Sequence, residues 1–69
     1  MKITFYTRTG DTITTTCAGT SQHKWDEISV HSPAKRGTEF LAKHAGEIIV
    51  ARTKYGQSRV TEVTTAPLP

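Results

Sequence analysis

A single cysteine, Cys17, in 69 residues rules out an intrachain disulfide, and with it the stapled scaffolds typical of small secreted domains. No stretch approaches the roughly 18 consecutive apolar residues that a membrane-spanning helix needs. The opening residues MKITFYTRTGD hold no apolar segment of signal-peptide length. The expected setting is therefore the cytoplasm, with no membrane partner, and Cys17 is expected as a small buried strand residue. No glycine-rich phosphate loop follows a strand-like segment. Asparagine is missing altogether, and that absence carries no functional reading. Aromatic residues are few, at 7%, and with roughly a dozen apolar core candidates in all there is little room for a deep enzyme pocket.

What the chain has in quantity is threonine, with 13 copies. Its branched Cβ suits a pleated sheet. Lys2 to Arg8 alternates Ile3, Phe5 and Thr7 with Lys2, Thr4, Tyr6 and Arg8, the pattern of a half-buried strand. Thr9-Gly10-Asp11 reads as a tight turn, and Thr12 to Ala18 as the returning strand. Gly19 to Gln22 reads as a loop. Residues 24–31 fit either period: Ile28 and Val30 alternate, whereas Trp25 and Ile28 stand three apart. A third strand over Glu27 to His31 is favoured, with Trp25 covering the edge of the core.

Ser32-Pro33 has the character of a helix start, Ser as N-cap and Pro at the first helical position. The helix is expected to reach about Ala45, with Ala34, Thr38, Leu41 and Ala45 on one stripe and Phe40 with His44 flanking it. Gly37 costs about 1 kcal/mol relative to alanine inside a helix, which would favour a later start at Thr38. Glu47 to Thr53 reads as a central strand buried on both faces, because Ile48, Ile49 and Val50 are consecutive. After a turn at residues 54–57, Ser58 to Thr64 returns, with a bulge expected because Val60 and Val63 have opposite parity. Residues 65–69 form a short Pro-containing tail.

The expected fold is thus a single α+β domain over residues 1–64, ordered β-β-β-α-β-β. It would be an open sheet with a helix on one face, or an OB-like barrel, which shares that order. Its apolar candidates are Ile3, Phe5, Ile13, Trp25, Ile28, Val30, Phe40, Leu41, Ile48, Ile49, Val50, Val60 and Val63. Such a core is thin for a small domain, and a homodimer would bury more apolar area.

The net charge of +3 lies wholly in the second half. Lys2, Arg8 and Lys24 balance Asp11, Asp26 and Glu27. Lys35, Arg36, Lys43, Arg52, Lys54 and Arg59 outnumber Glu39, Glu47 and Glu62. This favours an acidic partner, either nucleic acid or an acidic surface on a host protein complex. Arg52, Lys54, Tyr55 and Arg59 cluster in the last hairpin, Lys35 and Arg36 start the helix, and Tyr6 and Arg8 share the outer face of the first strand. Cations interleaved with aromatics are how single strands are bound without reading their bases.

Catalysis is not expected. His23, His31, His44 and Cys17 match no metal-ligand spacing, and no metal or other cofactor is expected. His31 and His44 meeting Lys35 and Arg36 would be the one route to a small ribonuclease acting by general acid–base chemistry.

In plan, the hairpin MKITFYTRTGDTITTTC, the helix EFLAKHAG and the strand pair EIIVARTKYGQSRVTEV resemble small phage-encoded proteins that disable host machinery. Anti-CRISPR proteins and phage inhibitors of bacterial RNA polymerase are examples. The resemblance implies a non-enzymatic binding protein that blocks a macromolecular partner sterically, through a few aromatic and arginine anchors or by adding a strand at an open sheet edge. It carries over no residue roles. The alternatives are a basic nucleic-acid-binding module and the small ribonuclease toxin.

Overall fold

The computed structural model describes residues 1–65. It contains β1 (Lys2–Thr7), β2 (Thr12–Lys24), β3 (Glu27–Pro33), α1 (Lys35–Lys43), β4 (Ile49–Thr53) and β5 (Gly56–Thr64). The expected order of elements is present. The expected tail, residues 65–69, lies outside the described residues except for Thr65, which follows β5 without regular structure.

The fold class differs from the expectation. Among the described residues strands account for 62%, and the one helix has nine residues. The strands close on themselves in the order β1-β2-β3-β5-β4. The molecule is therefore a small closed β-barrel, loosely OB-like, rather than an α+β sheet with a helical layer. Closure rests on two pairings between distant segments. β1 pairs antiparallel with β4, Phe5 opposite Ala51, and β3 pairs parallel with β5, Val30 opposite Val63. β2 makes this geometry reachable because it is 13 residues long. Its first part pairs with β1, and from Cys17 onward it pairs with β3. The residues expected as a loop, Gly19 to Gln22, are the middle of that strand. Closure removes much of the open edge that strand addition would use, but Ala18 to Lys24 of β2 and Val60 to Thr64 of β5 each pair with β3 alone.

The β1–β2 hairpin forms as expected, with Gly10 at φ 95° in its turn, a backbone region that favours glycine. The bulge expected in β5 is also present. Ile28 pairs with Val60 but Ser29 with Glu62, so Thr61 is the extra residue. Its hydroxyl donates to the Ile28 carbonyl at 3.2 Å, and the bulge lets both Val60 and Val63 turn towards the barrel interior.

Three local expectations fail for tertiary reasons. Ser32 and Pro33 do not open the helix. They complete β3, Pro33 opposite Cys17, and Ser32 has φ 48°. The helix N-cap is Ala34, without a side-chain cap. The Thr38 hydroxyl donates towards the carbonyls of Pro33 and Ala34, which ties the first turn to the end of β3 without capping its free N–H groups. The helix then ends at Lys43, short of Ala45; of the expected stripe Ala45 is exposed, whereas His44, expected on its flank, is buried, as is Gly37. Gly37 delays nothing. It is the point where α1 touches the barrel, since a Cβ there would lie 2.7 Å from Thr15 Cγ2 and 3.4 Å from Phe5 Cε2. That close approach sets Phe40 on Phe5, with ring centroids 6.4 Å apart.

The apolar triplet is not buried on both faces either. Ile48 precedes β4 and is 50% exposed, whereas Ile49 and Ala51 are buried. In a closed barrel each strand has only one inner face, so β4 alternates. Trp25 is 89% exposed. It occupies the two-residue turn between β2 and β3 instead of covering the core. The core consists of Ile3, Phe5, Cys17, Ile28, Val30, Ile49 and Ala51, with Ile13, Phe40, Leu41 and Val60 packed against it. Cys17 is buried and unpaired, and burial pushes its thiol pKa up.

Candidate macromolecule-binding face

Alternation along β1 sends Ile3 and Phe5 inward and leaves Lys2, Thr4 and Tyr6 on the outside. On β4 the outward residues are Val50 and Arg52, on β5 Gln57 and Arg59. Register brings them together: Tyr6 lies opposite Val50, Thr4 opposite Arg52, Arg52 opposite Gln57, and Val50 opposite Arg59. This outer face of β1, β4 and β5 carries two shallow grooves.

The first groove, about 340 Å³, is lined by Lys2, Thr4, Tyr6, Arg52, Thr53 and Lys54. Three of these six side chains are cationic and none is acidic. The second, about 390 Å³, is lined by Trp25, Asp26, Val50, Gln57, Ser58 and Arg59. A ridge joins them where the Tyr6 hydroxyl donates to Gln57 Oε1 at 3.0 Å. Just beyond Lys54, Tyr55 is 78% exposed at the tip of the β4–β5 turn, with the Lys54 ammonium 5.1 Å from its ring centre. That separation is within cation–π range.

Arg52, Lys54 and Tyr6 thus share one groove, with Tyr55 at its end. Arg59 lines the second groove but already has a partner. Its Nη2 donates to Glu27 Oε1 at 2.5 Å, and this hydrogen bond is the main reason the Glu27 carboxyl is held below its ordinary pKa, with smaller contributions from the charges of Lys24, Arg59 and His23. A carboxylate with a lowered folded-state pKa stabilises the fold above its unfolded pKa, near 4.3 for glutamate, and that contribution is lost as pH falls through the lowered value. Arg59→Gln should therefore lower the melting temperature at neutral pH, and the difference from wild type should shrink towards zero in strong acid. A deficit independent of pH would assign the loss to packing.

Arg8 lies in the β1–β2 turn, and Lys35 and Arg36 on the exposed side of α1. None of the three lines either groove, and Lys35 stands 4.0 Å from Glu39. Sequence reasoning omitted Lys2, which shares the parity of Tyr6 and was legible from it, and Trp25, whose size suggested core. The signal against that assignment was its setting between polar residues, Lys24 and Asp26.

The histidines do not assemble the ribonuclease constellation. His44 is buried at the helix C-cap, where its Nδ1–H donates to Glu47 Oε1 at 3.0 Å, Nε2 is 3.7 Å from Asp11 and the ring packs on Phe40. His31 lies between Ser21, at 2.5 Å, and Thr64. His23 contacts Ser29 and approaches Glu62 at 3.9 Å. Among the described residues no group of three or more His, Cys, Asp or Glu side chains converges as a metal site would require.

Comparison with protein-family models, curated proteins and solved structures finds no match. Among the described residues no helix is long and apolar enough to cross a membrane.

Proposed function

We propose that the protein is a non-enzymatic binding module that holds nucleic acid by its phosphate backbone, with Lys2, Arg52 and Lys54 as the phosphate-binding cations. The observation that carries this reading is the first groove: three cations beside Tyr6, no carboxylate, and Tyr55 exposed at its end. Of the two binding readings that the sequence leaves open, steric blocking of a host protein draws less support. One of its expected anchors, Arg59, is engaged within the chain by Glu27, and closure confines strand addition to the one-sided segments Ala18 to Lys24 and Val60 to Thr64. A cytoplasmic setting agrees with the one free, buried cysteine.

Binding through phosphates releases counterions, so affinity falls with salt by about 0.7 log units per log unit of salt for each single-strand phosphate neutralised. Three cations give a slope near −2, measured by fluorescence anisotropy of a labelled oligonucleotide. Replacing Lys2, Arg52 and Lys54 together by glutamine should flatten that slope to near zero. A flat response in the wild type, or a nuclease-resistant complex with a protein in its place, would overturn the reading.

A further inference from the structure

The two grooves differ in chemistry although they share a ridge. The only charges that line the first are cations. The second contains the Asp26 carboxylate, and its one cation, Arg59, is already neutralised by Glu27. A phosphate gains nothing there and meets a like charge. What the second groove offers is a flat, 89% exposed indole, the Val50 side chain, and hydrogen-bonding groups from Asp26, Gln57 and Ser58. Such a surface suits a neutral, planar, hydrogen-bonding group, and the faces and edges of a nucleobase have those properties. The Asp26 carbonyl is fixed by the Arg59 amide at 2.8 Å, so the turn that carries Trp25 is tied to β5.

We propose that the second groove seats a nucleobase against Trp25 while the first holds the adjoining phosphates, which makes single-stranded nucleic acid the ligand. The inference rests on the backbone-binding reading above and adds what that reading lacks, a discrimination between single strands and duplex. In a duplex the bases are stacked on one another and cannot reach the indole. In a single strand a base can turn over the Tyr6–Gln57 ridge while its phosphates remain beside Lys2, Arg52 and Lys54.

Trp25 is the only tryptophan of the chain, so its emission reports this groove alone. The wild-type protein is titrated with a short oligothymidylate, with an abasic oligonucleotide of equal length, and with a duplex. Affinity is read from anisotropy of a label on the nucleic acid, and stacking from indole emission. The expected result is strong quenching with oligothymidylate, little with the other two, and an affinity for oligothymidylate about tenfold above that for the abasic strand, the order expected of a stacked base. Trp25→Ala should remove that advantage and Trp25→Phe should keep much of it. Neither change touches the core, because the side chain is exposed. Equal affinity for the oligothymidylate and abasic strands with unchanged emission would overturn the base seat and leave the backbone reading standing, as would a preference for duplex. Binding to none of the three would overturn both.

Discussion

Phe5→Ala should bring the folded state to the edge of unfolding. Phe5 has no exposed surface, stacks on Phe40, and lies against the helix at Gly37. Truncating a buried phenylalanine costs about 3–5 kcal/mol, partly as lost transfer energy and partly as the cavity left behind. Whole-domain stability is roughly 0.05–0.15 kcal/mol per residue, which puts a chain of this length at about 3–10 kcal/mol. The substitution therefore removes a large share of the total. Urea denaturation followed by circular dichroism should show the midpoint lowered by half or more, or no folded baseline at all. Phe5→Leu, which retains most of the volume, should remain folded. A loss below about 1 kcal/mol for the alanine variant would mean that the helix does not close over this side chain.

Gly37→Ala should destabilise the protein, although alanine is the better helix former. Intrinsic propensity favours the change by about 1 kcal/mol. Against it stands the added methyl group, 2.7 Å from Thr15 Cγ2 and 3.3 Å from Pro33 Cβ. Thr15 is buried in β2 and β-branched, so its methyl cannot swing aside as the end of a long side chain would. Overpacking of this kind costs about 1–3 kcal/mol, and the net loss should be near 1 kcal/mol, larger for Gly37→Val. The second variant that tests the cause is Thr15→Ser, which deletes the obstructing Cγ2. Combined with Gly37→Ala it should recover much of the loss, a positive coupling between contacting sites. Additive losses in the double variant would place the strain elsewhere. The same glycine bears on function only indirectly: it seats α1 on the barrel, and no residue of α1 lines either groove.

The candidate face was half legible before the fold was known. Alternation along β1 marked Tyr6 as outward, and the same parity held Lys2. The last hairpin was visible in sequence, with Arg52, Lys54 and Tyr55 near its turn. What could not be read was which of the eight nominated residues share a surface. Lys35, Arg36 and Arg8 are exposed cations like the others, but they occupy the helix and another turn and line neither groove. Arg59 looked like a free anchor until the parallel pairing of β3 with β5 placed Glu27 opposite it. That partner is 32 residues away in sequence, beyond the reach of any local pattern.

By itself the sequence determined the order of elements, the first hairpin, the bulge in β5, the burial of Cys17 and most of the inward-facing apolar residues. Each follows from side-chain period or from turn chemistry, which act over a few residues. Only the tertiary structure decided that the sheet closes, that β2 runs through the expected loop, that Ser32 and Pro33 belong to a strand, and that Trp25 faces solvent. The physical reason is shared. Closure requires backbone partners for segments far apart in the chain. Once β3 claims Pro33 and β2 continues to Lys24, local preferences for a helix cap, a loop or a buried indole are overruled by hydrogen bonds and packing that no single segment contains.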